Sequence, residues 1–142
     1  EGGHGCIEAI HRAGLPGSAE YALAGSYDQE FGEAATLELR GKKPDSTAII
    51  YCGERACSGG LRGLRTRGKR VPDDITVISF DSFGLTQYLA PHIDSVIYPV
   101  KEMAEYGVSE VLNKLFTKEY EIAPKEFTHH FIDGDSIRPL SA

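Results

Sequence analysis

Two short runs of the chain are almost free of polar residues. One is Thr47-Ala48-Ile49-Ile50-Tyr51-Cys52, the other Ile75-Thr76-Val77-Ile78-Ser79-Phe80. Runs without polar alternation predict strands buried on both faces, as in a parallel sheet. Between them Ala56/Cys57, Gly60/Leu61 and Leu64 recur at helical spacing, and Gly68 stands where a helix would end. Val71-Pro72-Asp73-Asp74 is a turn into the second run. Strand, helix, turn and strand make a right-handed βαβ unit. Ligands bind such sheets beyond the carboxyl ends of the strands, which is where Gly53-Glu54 and Asp81-Ser82 fall.

The flanking sequence extends this alternation. Gly5 to Gly14 predicts a short amphipathic helix with Ile7 and Ile10 on one face. Tyr21 to Ala24 predicts a short strand, and Asp28 to Arg40 a helix closed by Gly41. Gln87 to Pro91 reads as a brief helical turn. A long helix follows, with Pro99 at its first position and an apolar stripe through Val100, Met103/Ala104, Gly107/Val108, Val111/Leu112 and Leu115/Phe116. Such a stripe signals core or subunit packing. Glu126 to Ile132 reads as a strand that puts His129 and His130 on opposite faces, so one metal ion cannot easily take both. The fold class predicted is α/β, a doubly wound, mainly parallel sheet with helices on both faces.

Composition changes this picture in three ways. The 142 residues, 41% hydrophobic and 25% charged, suffice for one domain with a real core. No segment approaches the roughly 18 consecutive apolar residues that span a bilayer. The net charge of −6 gives no general attraction to a nucleic-acid backbone. Cys6, Cys52 and Cys57 are odd in number, and Cys52 lies in a predicted buried strand. That argues against a disulfide framework and for a reducing compartment, the cytoplasm, with Cys52 and Cys57 acting as small buried hydrophobes. No phosphate-binding loop, dinucleotide fingerprint, nucleophile elbow or metal-ligand spacing occurs. The expectation is therefore no enzyme, no cofactor and no metal.

The order Thr47-Ala48-Ile49, Gly59, Leu61, Gly68, Val71-Pro72, Asp74-Ile75, Val77 and Phe80-Asp81 resembles the effector-binding domain of LacI/GalR-type transcriptional regulators. That domain shares its fold with periplasmic sugar-binding proteins. Gly5, Ala9-Ile10 and Gly14, then Pro91 to Pro99, and the closing Asp133 to Pro139 extend the similarity to nearly the whole chain. It covers only the second half of such a domain. The resemblance implies that residues 1–98 belong to the C-terminal subdomain, 99–124 to a helix and loop of the N-terminal subdomain, and 125–142 to a return strand and tail. A DNA-binding helix-turn-helix would lie outside this sequence.

The resemblance also implies roles. Asp81 would accept hydroxyl hydrogen bonds from a small metabolite such as a sugar; its alternative is to cap the turn at Ser82-Phe83-Gly84. Tyr27 would stack on the ligand or seal the core edge. Gly53 and Glu54 stand where the family has Asn-Asp, and Glu54 could instead serve the helix dipole. Tyr98 would lie near a hinge. The family's effector-contacting arginine falls at Gly2, a departure from the pattern. Leu61, Arg62 and Arg65 would border a homodimer interface; a basic cluster with Arg67, Lys69 and Arg70 could equally be a solvated face. The partners implied are a small effector, DNA through a separate domain, and a second copy, with no membrane. The main rival is a periplasmic sugar-binding protein of a transporter, and the third option is an enzyme on the same scaffold.

Overall fold

The two apolar runs form neighbouring parallel strands, β1 (Ala48–Tyr51) and β2 (Thr76–Asp81), with Ile49 opposite Val77 and Tyr51 opposite Ser79. The computed structural model describes residues 2–15, 21–118, 121 and 124–139. β3 (Asp94–Ile97) lies parallel on the other side of β2, and β4 (His130–Ile132) runs antiparallel beside β3. The sheet order is β1-β2-β3-β4. The helices described in full are α1 (Gly2–Arg12), α2 (Gln29–Lys42), α3 (Glu54–Thr66) and α4 (Val100–Thr117), with a 3-10 turn at Leu85–Tyr88.

Burial alternates along β1 and β2, so the unbroken apolar runs did not mean two equally buried faces. Ile49, Tyr51, Val77, Ser79 and Asp81 point inward, whereas Ile50 on the opposite face is 43% exposed. The inward face meets α3, and Leu61 and Leu64 complete a core with Ile75 and Ile93. Removing each such side chain from water contributes about 1.5–3 kcal/mol.

α2 lies against α3, and glycine makes the approach possible. A Cβ on Gly59 would sit 1.9 Å from the Gln29 carbonyl oxygen, and one on Gly32 would sit 2.1 Å from that of Ala56. The buried Thr36 hydroxyl on α2 bonds the Tyr51 hydroxyl at 2.7 Å, tying the helix pair to β1. Asp28 caps α2, accepting from the Phe31 amide at 2.8 Å. The helix runs on through Gly41, because Arg40 reaches over its end to the carbonyls of Lys43, Pro44 and Ser46. α3 does end at the expected signal: Gly68 adopts φ +66°.

The last described segment is stitched into the sheet below β3. The Val77 amide donates to the Ser136 carbonyl at 3.0 Å. The Ser136 hydroxyl gives its proton to the Val77 carbonyl at 2.6 Å and accepts from the Asp94 amide at 2.8 Å. Asp94, 5% exposed, receives the Gly134 amide on one oxygen and the Ser136 amide on the other. Gly134 has no room for a Cβ, which would lie 2.6 Å from the Asp94 nitrogen.

Four elements differ from expectation. Tyr21–Ala24 forms no strand: Tyr21 is helical and residues 22–26 are irregular. The helical turn comes earlier, at Leu85–Tyr88. β4 is three residues long, because β3 offers it a short edge. Pro99 precedes α4 instead of starting it. The apolar stripe of α4 is real, yet no α4 residue is buried; Val108, Val111, Leu112, Leu115 and Phe116 are all exposed.

Candidate functional site

The carboxyl ends of β1, β2 and β3 open on one side of the sheet, and aromatic groups gather there. Phe80, on β2, stacks with Tyr98, just past β3, at 5.8 Å between ring centres. His129, entering β4, meets Tyr98 edge-on at 5.0 Å. Burial raises the Tyr98 hydroxyl above its usual range, and Cys52, Tyr27 and Cys6 are close enough to add to the effect. Gly53 caps α3 with extended backbone, and a Cβ on it would lie 3.2 Å from the Tyr27 ring. The Tyr27 side chain therefore rests over Gly53, and an asparagine there would press on it. Tyr27 remains 68% exposed. Of the predicted site residues, the structure brings Tyr27, Gly53 and Tyr98 together. His129 and Phe80 join them, and neither was among the expected site residues.

Asp81 ends β2 as expected, but its carboxylate turns inward. It is fully buried. One oxygen accepts the Phe83 and Gly84 amides at 2.8 and 2.9 Å, the other the Thr86 amide and hydroxyl at 2.8 and 2.5 Å. Burial alone would raise its pKa; these bonds, led by the Thr86 hydroxyl, outweigh it and hold the carboxyl below its usual range. The capping alternative describes this geometry. With these bonds on both oxygens, Asp81 is a clamp on the turn at the site's rim.

Glu54 lies in the first turn of α3, where its charge suits the helix N-terminus. Arg62 and Arg65 are exposed on the outer face of α3, and Arg62 pairs with Glu33 at 3.5 Å. Leu61 does not share that face. It is 6% exposed and packs within the core. Of the cysteines, Cys52 departs from expectation. Cys57 is buried, and burial pushes its thiol up to about 12. Cys6 is half-buried and Cys52, past the end of β1, is exposed. Among the described residues no group of three or more His, Cys, Asp or Glu could hold a metal ion.

The model of the periplasmic binding protein-like domain matches residues 3–137. The chain belongs to this family. Within it, the similar proteins are LacI-type regulators. The probable HTH-type transcriptional repressor ExuR of Bacillus subtilis is 30% identical over 137 residues, covering 96% of this chain and 41% of its own length. The HTH-type transcriptional regulator GalS of Salmonella typhimurium is 30% identical over 76% of this chain and 32% of its own length. Among solved structures, a CelR–cellobiose complex superposes with a TM-score of 0.85 at 25% identity, over 91% of this chain and 39% of that one. A LacI family regulator of Enterococcus faecium with bound ribose gives 0.83 at 22%, over 94% and 49%. The chain thus spans less than half the length of these relatives. The incomplete, mostly parallel sheet is that of a periplasmic-binding-protein-like fold. Among the described residues no helix is long and apolar enough to cross a membrane.

Proposed function

We propose that this chain is the ligand-sensing portion of a LacI-type transcriptional regulator, and that it binds a small metabolite, a sugar or close relative, at the carboxyl ends of β1–β3. The observation that carries the reading is the aromatic wall of Tyr27, Phe80, Tyr98 and His129 beyond those ends, set beside relatives whose structures hold cellobiose and ribose at the same fold. Aromatic faces stack on the apolar C–H face of a sugar ring. Tyr27 supplies the exposed face and Tyr98 the floor. Gly53 gives Tyr27 its seat, and Asp81 holds the rim in shape without touching the ligand. Glu54 lies beside Gly53 and serves chiefly the helix.

Residues 1–98 then form the C-terminal lobe, 99–124 reach into the N-terminal lobe, and 125–142 return. A ligand that prefers one lobe arrangement shifts the population toward it, and a DNA-binding head elsewhere in the longer protein reads the change. A homodimer forms through the outer face of α3, with Arg62 and Arg65, next to the exposed Tyr88 of the neighbouring 3-10 turn. The protein works in the cytoplasm and catalyses no reaction.

The test is a thermal-shift panel of sugars, uronates and purines on the full-length protein, followed by operator binding with and without each hit. At a hundredfold excess over Kd a true effector adds about 2.7 kcal/mol, a rise of several degrees in Tm, and changes operator affinity. A panel with no stabilising compound, or hits that leave DNA binding untouched, overturns the reading.

A further inference from the structure

The outer side of α3 carries one sign of charge. Arg55, Arg62, Arg65 and Thr66 are exposed there and Ser58 is half-buried; past Glu54 the helix holds no acidic residue. Ser58, Arg62, Arg65 and Thr66 line a shallow groove of about 520 Å³. Arg62 reaches Glu33 at 3.5 Å, yet its side chain stays 76% exposed. Among the described residues the Arg65 guanidinium and the Ser58 hydroxyl have no side-chain or backbone partner. Thr66 gives its hydroxyl proton to the Arg62 carbonyl at 3.0 Å. The neighbouring 3-10 turn, Leu85–Tyr88, adds no charge.

A homodimer through this face is isologous, so each copy presents the same surface to the other. Arginines then meet arginines, and like charges brought together at an interface are costly. We propose that a phosphate-class dianion sits between the two copies, held by Arg62 and Arg65 of each, and that its binding tightens the dimer. The inference rests on the dimer proposed above. Guanidinium groups take phosphate oxygens through paired N–H donors, and the Ser58 hydroxyl supplies one more. The dipole of α3 gives no help, because Arg62 and Arg65 lie toward its carboxyl end. The attraction comes from the arginines alone, four of them across the two-fold axis.

The test is the dimer dissociation constant of the full-length protein, measured by sedimentation with fluorescence detection across a dilution series. Inorganic phosphate is compared with chloride at equal ionic strength, which removes general screening as a cause. A small phosphate monoester forms a third arm. The expected constant is at least tenfold lower with phosphate than with chloride. A response to inorganic phosphate assigns the free ion, and a response to the monoester alone assigns a phosphate ester. Arg65→Gln, at an exposed position that spares the Arg62–Glu33 pair, should dimerise more tightly than the parent in chloride and lose the phosphate response. Equal constants in all three arms overturn the bridge; if Arg65→Gln still shifts them, the α3 dimer stands without it. A variant that dimerises more weakly than the parent in chloride also overturns the bridge, since Arg65 then meets an acidic group of the other copy. A monomer in every arm overturns dimer and bridge together and leaves ligand sensing untouched.

Discussion

Asp81 and Asp94 are buried carboxylates that stay ionised because amides and hydroxyls surround them. For Asp94, burial raises the pKa, and the amides of Gly134, Ser136 and Ile137 bring it below the usual range. Replacing Asp81 by Ala strands three amides and a hydroxyl, so stability should fall by about 2–4 kcal/mol; urea unfolding measures this. Both folded-state pKa values lie below the unfolded ones. Their stabilisation is therefore complete above the unfolded value of about 3.9 and is lost as pH falls through the folded values. Urea midpoints should be level from neutral to mildly acidic pH and drop in the acid range, and Asp81→Asn should flatten part of that drop. Both roles of Asp81 could be read in Phe80-Asp81-Ser82-Phe83-Gly84. What decides between them is Thr86, brought under the carboxylate by a turn with Gly84 at φ +77°. A contact of that kind depends on a backbone excursion that residue type alone does not specify. Asp94 and Ser136 gave no signal at all, since their partnership joins positions 42 residues apart.

At the scale of elements, the helices were legible because 3.6-residue spacing is a local property. Short strands were less so, because a strand exists only if a neighbour accepts its hydrogen bonds. Tyr21–Ala24 has suitable residues and no pairing, and β4 keeps only the three residues that β3 can meet. Gly59 and Gly63 of α3 face α2 and permit the close approach. Gly59→Ala should force the helices apart and cost about 1–3 kcal/mol or more. Gly41→Ala, on α2 with open space around it, should stabilise by up to about 1 kcal/mol. Thermal unfolding of the two variants should therefore move in opposite directions.

At the scale of the whole molecule, α4 presents an exposed apolar face from Val108 to Phe116 among the described residues. Contiguous apolar exposure of this kind marks an interaction surface, and in the proposed architecture the rest of the longer protein covers it. The proposed ligand site is likewise one wall, aromatic rings at the carboxyl ends of three parallel strands. The sequence motif located this wall through β1 and β2, Phe80 included, while the place of His129 became visible only once the strands were side by side. The most direct measurement is a calorimetric titration of the full-length protein with its thermal-shift hit, comparing the parent with Tyr27→Ala and Tyr98→Ala after circular dichroism confirms the fold. The account predicts saturable binding by the parent and an affinity at least tenfold weaker in each variant, about 1.4 kcal/mol; unchanged affinity in both folded variants would contradict it.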